Sequence, residues 1–145
     1  MTEDVYKILS APKAIRAEIT SIRIQLAGIS QSIFPSGIRY DTDKVSSSPN
    51  GDRMLQYIER IEKLQARAGE LNVQYVSAQD RVVKECAALD PRESEVIMRR
   101  WIREERFEEI ASAMHLSERQ MFRIYREGIA KMSVNVSRQG VYNID

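Results

Sequence analysis

Apolar residues recur along two long stretches of this chain at alternating steps of three and four, a period that only helix can carry. From Pro12 onward, Ile15, Ile19, Ile22, Leu26, Ile29 and Ile33 follow one another in this way. Met54, Tyr57, Ile61, Leu64, Ala68, Leu71, Tyr75, Ala78 and Val82 repeat the pattern. A helix places such a series on one stripe, and the stripe has to be covered by another helix. The second stretch reads as a helix over residues 52–88 with Asp52 as its N-cap, about 55 Å long at the standard rise. Val5, Ile8 and Leu9 read as a short helical lead-in, with Pro12 restarting or kinking the chain. Residues 34–51, with Pro35, Gly37, the Ser46–Ser48 run, Pro49 and Gly51, read as the connecting loop. The two seams fit an antiparallel hairpin within one chain and equally a coiled coil shared between chains.

The third region of interest is Asp90–Met132. Asp90-Pro91 sets a capping acid before a proline at the first helical position. Val96, Ile97, Trp101 and Ile102 then fall at helical spacing, and Phe107, Ile110, Ala111 and Met114 form a shorter amphipathic run. His115-Leu116 makes a turn, and Ser117 caps a third helix running to about Met132. Helix, tight turn and a second, basic helix is the layout that sets a helix into the major groove of DNA. Acids and bases balance over the region, but not locally. Arg119, Arg123, Arg126 and Lys131 outnumber Glu118 and Glu127 on the last helix, while Glu104, Glu105, Glu108 and Glu109 gather before it. Met121, Ile124, Gly128 and Met132 form its inward stripe, with Gly128 permitting a close approach to a neighbour. Trp101 reads as the anchor of the three-helix core, and Phe122 either touches a thymine methyl or packs on the first helix of the region.

Composition sets the remaining bounds. With 6 glycines and 4 prolines in 145 residues, there are few turns to distribute, so an all-α fold follows. The formal net charge is only +1, so any affinity for nucleic acid has to be local. Cys86 is the single cysteine, which rules out an intrachain disulfide and fits a reducing cytoplasm. No signal peptide and no run long enough to cross a bilayer is evident. His115 is the single histidine, and a turn residue rather than a ligand. Asp41, Asp43 and Asp52 lack calcium-loop spacing, and no nucleophile–base set or phosphate-cradling loop is present. Neither an enzyme, a metal nor a cofactor is expected.

The string PRESEVIMRRWIREERFEEIASAMHLSERQMFRIYREGIAKM resembles sigma-factor region 4 and its phage relatives. The chain also resembles small proteins of phages of Gram-positive hosts that join a coiled region to this module, among them late-operon regulators of the autolysin-regulator type. The string DKVSSSPNGDRM is similar to the linking segment of such proteins. The resemblance covers about residues 40–132, and the first helix by pattern alone. It implies that Ser117, Arg119, Gln120, Phe122 and Arg123 face DNA and that Ala111 is the small residue at the helix crossing. The pattern is departed from at two positions. His115 replaces the usual turn glycine, and Arg106 replaces a Ser/Thr cap, which should weaken the start of that helix.

The sequence thus predicts an all-α protein: a long N-terminal helical hairpin or coiled coil over 1–89, a three-helix region-4-like helix-turn-helix over 90–132, and a flexible tail over 133–145. The expected DNA-binding residues are Ser117, Glu118, Arg119, Gln120, Phe122, Arg123, Arg126 and Lys131. Arg119, Gln120 and Arg123 would read bases, with Arg126 and Lys131 neutralising phosphate. The expected partners are double-stranded DNA and further copies of the chain, in the bacterial cytoplasm, with no membrane. Two alternatives share these features: a small terminase subunit that marks viral DNA for the large subunit, and an adaptor that binds host RNA polymerase.

Overall fold

The computed structural model describes residues 2–33 and 49–142. Among them every element is an α-helix: α1 (Thr2–Ile33), α2 (Pro49–Cys86), α3 (Pro91–Trp101), α4 (Phe107–Ala113) and α5 (Glu118–Tyr142). The all-α class is the one the spacing predicts. Of the expected loop over 34–51, residues 34–48 lie outside the described residues.

Of the two outcomes expected at Pro12, a restart or a kink, the restart does not occur: α1 runs through it for 32 residues. Proline in a helix interior removes one hydrogen bond and crowds the carbonyl four residues back, at about 3 kcal/mol. Val5 and Leu9, both fully buried, lie about two turns and one turn before it, and Pro12 itself is fully buried. Burying each of those aliphatic side chains is worth about 1.5–3 kcal/mol, which outweighs the lost bond. The apolar seam therefore starts at Val5. α2 begins earlier than expected, at Pro49, whose fixed φ suits a first helical position. Asp52 sits inside the first turn, where its charge favours the helix dipole, and not at the cap.

The chain divides into two compact units, Arg16–Val73 and Met1–Ile15 with Gln74–Asp145. In the first unit Ile19, Ile22, Ile29 and Leu71 are buried, with Leu26, Tyr57, Ile61, Leu64 and Ala68 half-buried beside them. Met54, placed on the same seam by spacing, is exposed. An ion pair from Arg67 to Glu18 at 3.4 Å joins the two helices of this unit. The pairing of α1 with α2 here is thus made within one chain.

The second unit holds one apolar cluster: Val5, Leu9, Val82, Cys86, Leu89, Val96, Ile97, Ile110, Ala111, Met121, Tyr125, Ile129 and Met132. The boundary drawn at residue 90 therefore cuts through a core. The start of α1 and the end of α2 supply side chains to the same cluster as α3, α4 and α5. Cys86 lies inside it, and burial pushes its thiol up to about 11, so it is an inert packing group.

The tail expected from residue 133 is instead helix, because α5 continues to Tyr142. Ser133 is buried and donates its hydroxyl to the Ile129 carbonyl at 3.0 Å, and Val136 packs on the core. Arg81 donates to Gln139 at 3.1 Å. Tertiary packing overrides the modest helix propensity of Ser133, Val134 and Val136. Residues 143–145 lie outside the described residues.

Candidate nucleic-acid interface

The approach of α5 to α3 is set by a glycine. A Cβ on Gly128 would stand 2.8 Å from Ile97 Cδ1 and 3.3 Å from Glu93 Cβ, so the two helices meet where only hydrogen fits. Met121, Tyr125, Gly128, Ile129 and Met132 form the buried stripe of α5, with Ile124 half-buried at its margin. Tyr125 and Ile129 belong to this stripe although the sequence reading did not place them there.

The turn between α4 and α5 closes as a Schellman motif. Leu116 N–H donates to Ala111 O at 2.9 Å, and His115 N–H donates to Ser112 O at 3.2 Å. His115 adopts φ 56°, the left-handed conformation that the family pattern fills with glycine. Ser117 then caps α5 through a reciprocal box. Its Oγ accepts the Gln120 N–H at 3.1 Å, and its own N–H donates to Gln120 Oε1 at 3.1 Å.

The start of α4 is not weakened as expected from Arg106. Arg106 occupies the cap position and cannot accept a bond, but Glu109 works from the other side. The Glu109 carboxylate accepts the Arg106 backbone N–H at 3.4 Å and its guanidinium at 2.9 Å. That guanidinium holds the Glu109 carboxyl below its usual range. At α3 the reverse happens. Asp90 stands at the cap with Pro91 behind it, yet makes no capping bond, because its carboxylate accepts from Lys131.

Lys131 stands at the centre of this last contact. Its ammonium bridges Asp90 at 3.2 Å and Glu93 at 2.5 Å, tying the first turn of α3 to the far half of α5. Lys131 holds the Asp90 carboxyl below its usual range. Glu93 is buried, and its second oxygen has no hydrogen-bond partner among the described residues. The charge expected to neutralise phosphate thus already satisfies two carboxylates of its own chain. Phe122 also has a partner within the fold: its ring packs on Phe107 of α4 at 4.9 Å.

Arg119, Arg123 and Arg126 remain, all exposed, at steps of four and three on one stripe of α5. Arg123 makes a long i,i+4 contact to Glu127 at 3.7 Å, and Arg126 donates to the Phe122 carbonyl at 3.3 Å. Among the described residues Arg119 forms no ion pair. Glu118 is exposed beside them in the first turn. Arg123 and Gln120 also line an open cleft of about 490 Å³ with Arg92 from the first turn of α3. Arg92 is exposed and is absent from the sequence-based set. Its signal was its place just after Pro91, where a cation stands beside free backbone donors of a helix start.

Two of the acids before α5, Glu105 and Glu109, are paired with arginines of the same region. Glu105 accepts from Arg99 at 3.2 Å and from Arg103 at 3.3 Å, and Glu109 is taken by Arg106. Arg100 lies over the Phe107 ring at 4.2 Å and donates to the Glu105 carbonyl. The α3–α4 connection is therefore a salt-bridged corner, with Glu104 at φ 56°. No three or more His, Cys, Asp or Glu side chains gather as a metal site among the described residues. No described helix is long and apolar enough to cross a membrane.

No curated protein and no solved structure matches the chain. Residues 87–133 match the family described as Sigma-70, region 4. The match runs from just before α3, through α4 and the turn at His115, to the middle of α5. This part of the chain is therefore similar to sigma-70 region 4, a helix-turn-helix of the DNA-binding type.

Proposed function

We propose that this protein is a sequence-specific DNA-binding transcriptional regulator of phage or prophage origin. It acts without catalysis in the bacterial cytoplasm, as an oligomer that presents more than one recognition helix. The observation that carries the reading is the stripe of Arg119, Arg123 and Arg126 on a capped, exposed helix within the region-4-like segment. Arginine is the residue that bonds guanine O6 and N7 bidentately, and this stripe is what the fold leaves for a partner. Arg123, with Gln120 and Arg119, reads bases, and Arg126 and Arg92 hold phosphate. Leu55, Ile58 and Val76 on α2 are exposed, which suits a helix that meets a second chain. Multivalency then raises the modest affinity of one module.

Selection from randomised duplex DNA with the full-length protein tests the reading. One enriched sequence is expected. Arg123→Ala should flatten the preference at about one base pair, roughly tenfold in affinity ratio, since a bidentate contact discriminates by about 1–3 kcal/mol. Arg126→Ala should weaken all DNA alike and lower the salt slope by about 1. Failure to enrich any sequence refutes the proposal. Mass measurement separates the regulator, expected as a dimer, from a packaging subunit, which would assemble as a larger ring.

A further inference from the structure

A line of three ring contacts and one hydrogen bond leads from the first turns of α1 to the basic face of α5. The Tyr6 ring meets the Trp101 ring at 5.9 Å between centroids. Trp101 donates its indole N–H to the Tyr125 hydroxyl at 3.2 Å. Tyr125 sits edge-on to Phe107 at 5.2 Å, and Phe107 packs on Phe122 at 4.9 Å. Tyr125 and Phe122 belong to α5 and alternate along the chain with Arg123 and Arg126. Every link lies within one compact unit.

We infer that Tyr6, from the far end of the sequence, is a positioning residue for the recognition helix: through Trp101 and Tyr125 it fixes the roll of α5 and hence the aim of Arg119, Arg123 and Arg126. The inference rests on the DNA-reading role proposed above.

The geometry makes the demand plain. A helix with its side chains is about 10–12 Å across, so a roll of about 20° moves a side-chain tip by about 2 Å. A shift of that size takes a donor out of hydrogen-bond range. Side chains that read a fixed partner must be locked to within about 0.5 Å and 10–20° by the groups behind them. The aliphatic contacts of α5 resist separation from α3 and α4, but smooth apolar surfaces do not index rotation well. Directional contacts do, and beside the arginine stripe these include the Trp101–Tyr125 hydrogen bond and the edge-on Phe107–Tyr125 pair, with the Lys131 bridge to Asp90 and Glu93 further along α5. Burial and the neighbouring Tyr6 hydroxyl push the Tyr125 phenol up to about 12, so it stays a neutral partner at any working pH.

Tyr6 can also be separated from folding. Val5 and Leu9 carry the packing of this end of α1 and are fully buried, whereas Tyr6 is 41% exposed. Removing its ring leaves the core filled.

The test compares full-length wild type, Tyr6→Ala and Tyr6→Phe on two probes: the duplex enriched by the wild type and a scrambled duplex of equal length. Binding is measured at a temperature where circular dichroism shows all three fully folded. Tyr6→Ala should lower the affinity ratio of enriched to scrambled DNA by about tenfold, on the scale of one base contact. Affinity for scrambled DNA and the salt slope should stay unchanged, because the phosphate contacts persist. Tyr6→Phe, which keeps the ring, should fall between the two. A merely structural Tyr6 would lower the melting temperature and leave the ratio intact, and that result overturns the inference. So does an equal loss on both probes. If the wild type selects no sequence, the DNA-reading role falls and this inference with it; selective wild type with a neutral Tyr6→Ala sinks this inference alone.

Discussion

The turn at His115 offers a substitution whose sign and size can be worked out in advance. His115 holds φ 56° so that its own N–H and that of Leu116 can close the end of α4 on Ser112 and Ala111. A side chain in that conformation costs about 1–2 kcal/mol, toward the lower end for a residue type that tolerates it. Glycine removes the cost but gives the unfolded chain more freedom, worth about 0.4–1 kcal/mol in the other direction. His115→Gly should therefore be stabilising by about 0.5 kcal/mol, a rise of about 1–2 °C for a chain of this size. His115→Val, β-branched at positive φ, should be destabilising by about 2 kcal/mol or more. Urea unfolding followed by far-ultraviolet circular dichroism measures both. The enriched DNA sequence should be the same for wild type and His115→Gly, because the Schellman bonds are made by backbone. A lower midpoint for His115→Gly, or equal midpoints for Gly and Val, would refute this account of the turn.

Three further outcomes follow from the same contacts. Lys131→Met leaves the buried Glu93 carboxylate without its cation, so it should melt well below wild type, and Glu93→Gln combined with Lys131→Met should recover much of the loss; thermal melts of the three variants check the order. Gly128→Val should be destabilising by about 1–3 kcal/mol, since Ile97 and Glu93 Cβ already stand where the new side chain must go, whereas Gly128→Ala should do less harm because helix propensity offsets the overlap by about 1 kcal/mol; denaturant midpoints decide. Glu109 is held below its usual range by Arg106, and Asp90 by Lys131, so the stability each adds is present above about pH 4.5 and 3.8 and is lost as the pH falls further. Glu109→Gln should flatten the acid limb of a stability–pH curve, and an unchanged limb would remove Glu109 from it.

The residues most readable from sequence were those whose role is periodic or local. The seams through Ile19, Ile22, Ile29 and Leu71, the cap at Ser117, the positive φ at His115 and the close approach at Gly128 all rest on spacing or on the chemistry of one turn. The restart at Pro12 and the tail after Met132 were misread for one reason. Each was judged by propensity, a small quantity per residue, while burial of Val5 and Leu9 in one case and Ser133 and Val136 in the other decided the outcome. Arg106 was misread because a cap was sought on the residue itself, when Glu109 could supply it by reaching back. Nothing in a linear pattern connects Tyr6 to Trp101, or Lys131 to Glu93, because such pairs depend on which helices meet.

The eight residues nominated for DNA show where sequence reasoning about a binding helix runs out. Ser, Gln, Lys and aromatic side chains near a helix start serve a nucleic acid and the protein's own fold by the same bonds. Ser117 and Gln120 bond each other, Phe122 stacks on Phe107, and Lys131 pairs with Asp90 and Glu93. A polar side chain takes the nearest partner that fits, and for the first turn of α5 that partner is its own backbone. Gln120 can still serve both, since its Oε1 is held by Ser117 N–H while its Nε2 remains a donor of fixed direction. The arginines differ because their reach carries the guanidinium beyond the helix, where only weak i,i+4 contacts are available. An exposed pair of this kind contributes at most about 1 kcal/mol, less than a guanine gives back. Arg123 can therefore leave Glu127 for a base without loss, while Lys131 cannot leave Glu93 without stranding a buried charge. On the proposed function, the face that reads DNA is then the set of cations whose present partners are the cheapest to give up.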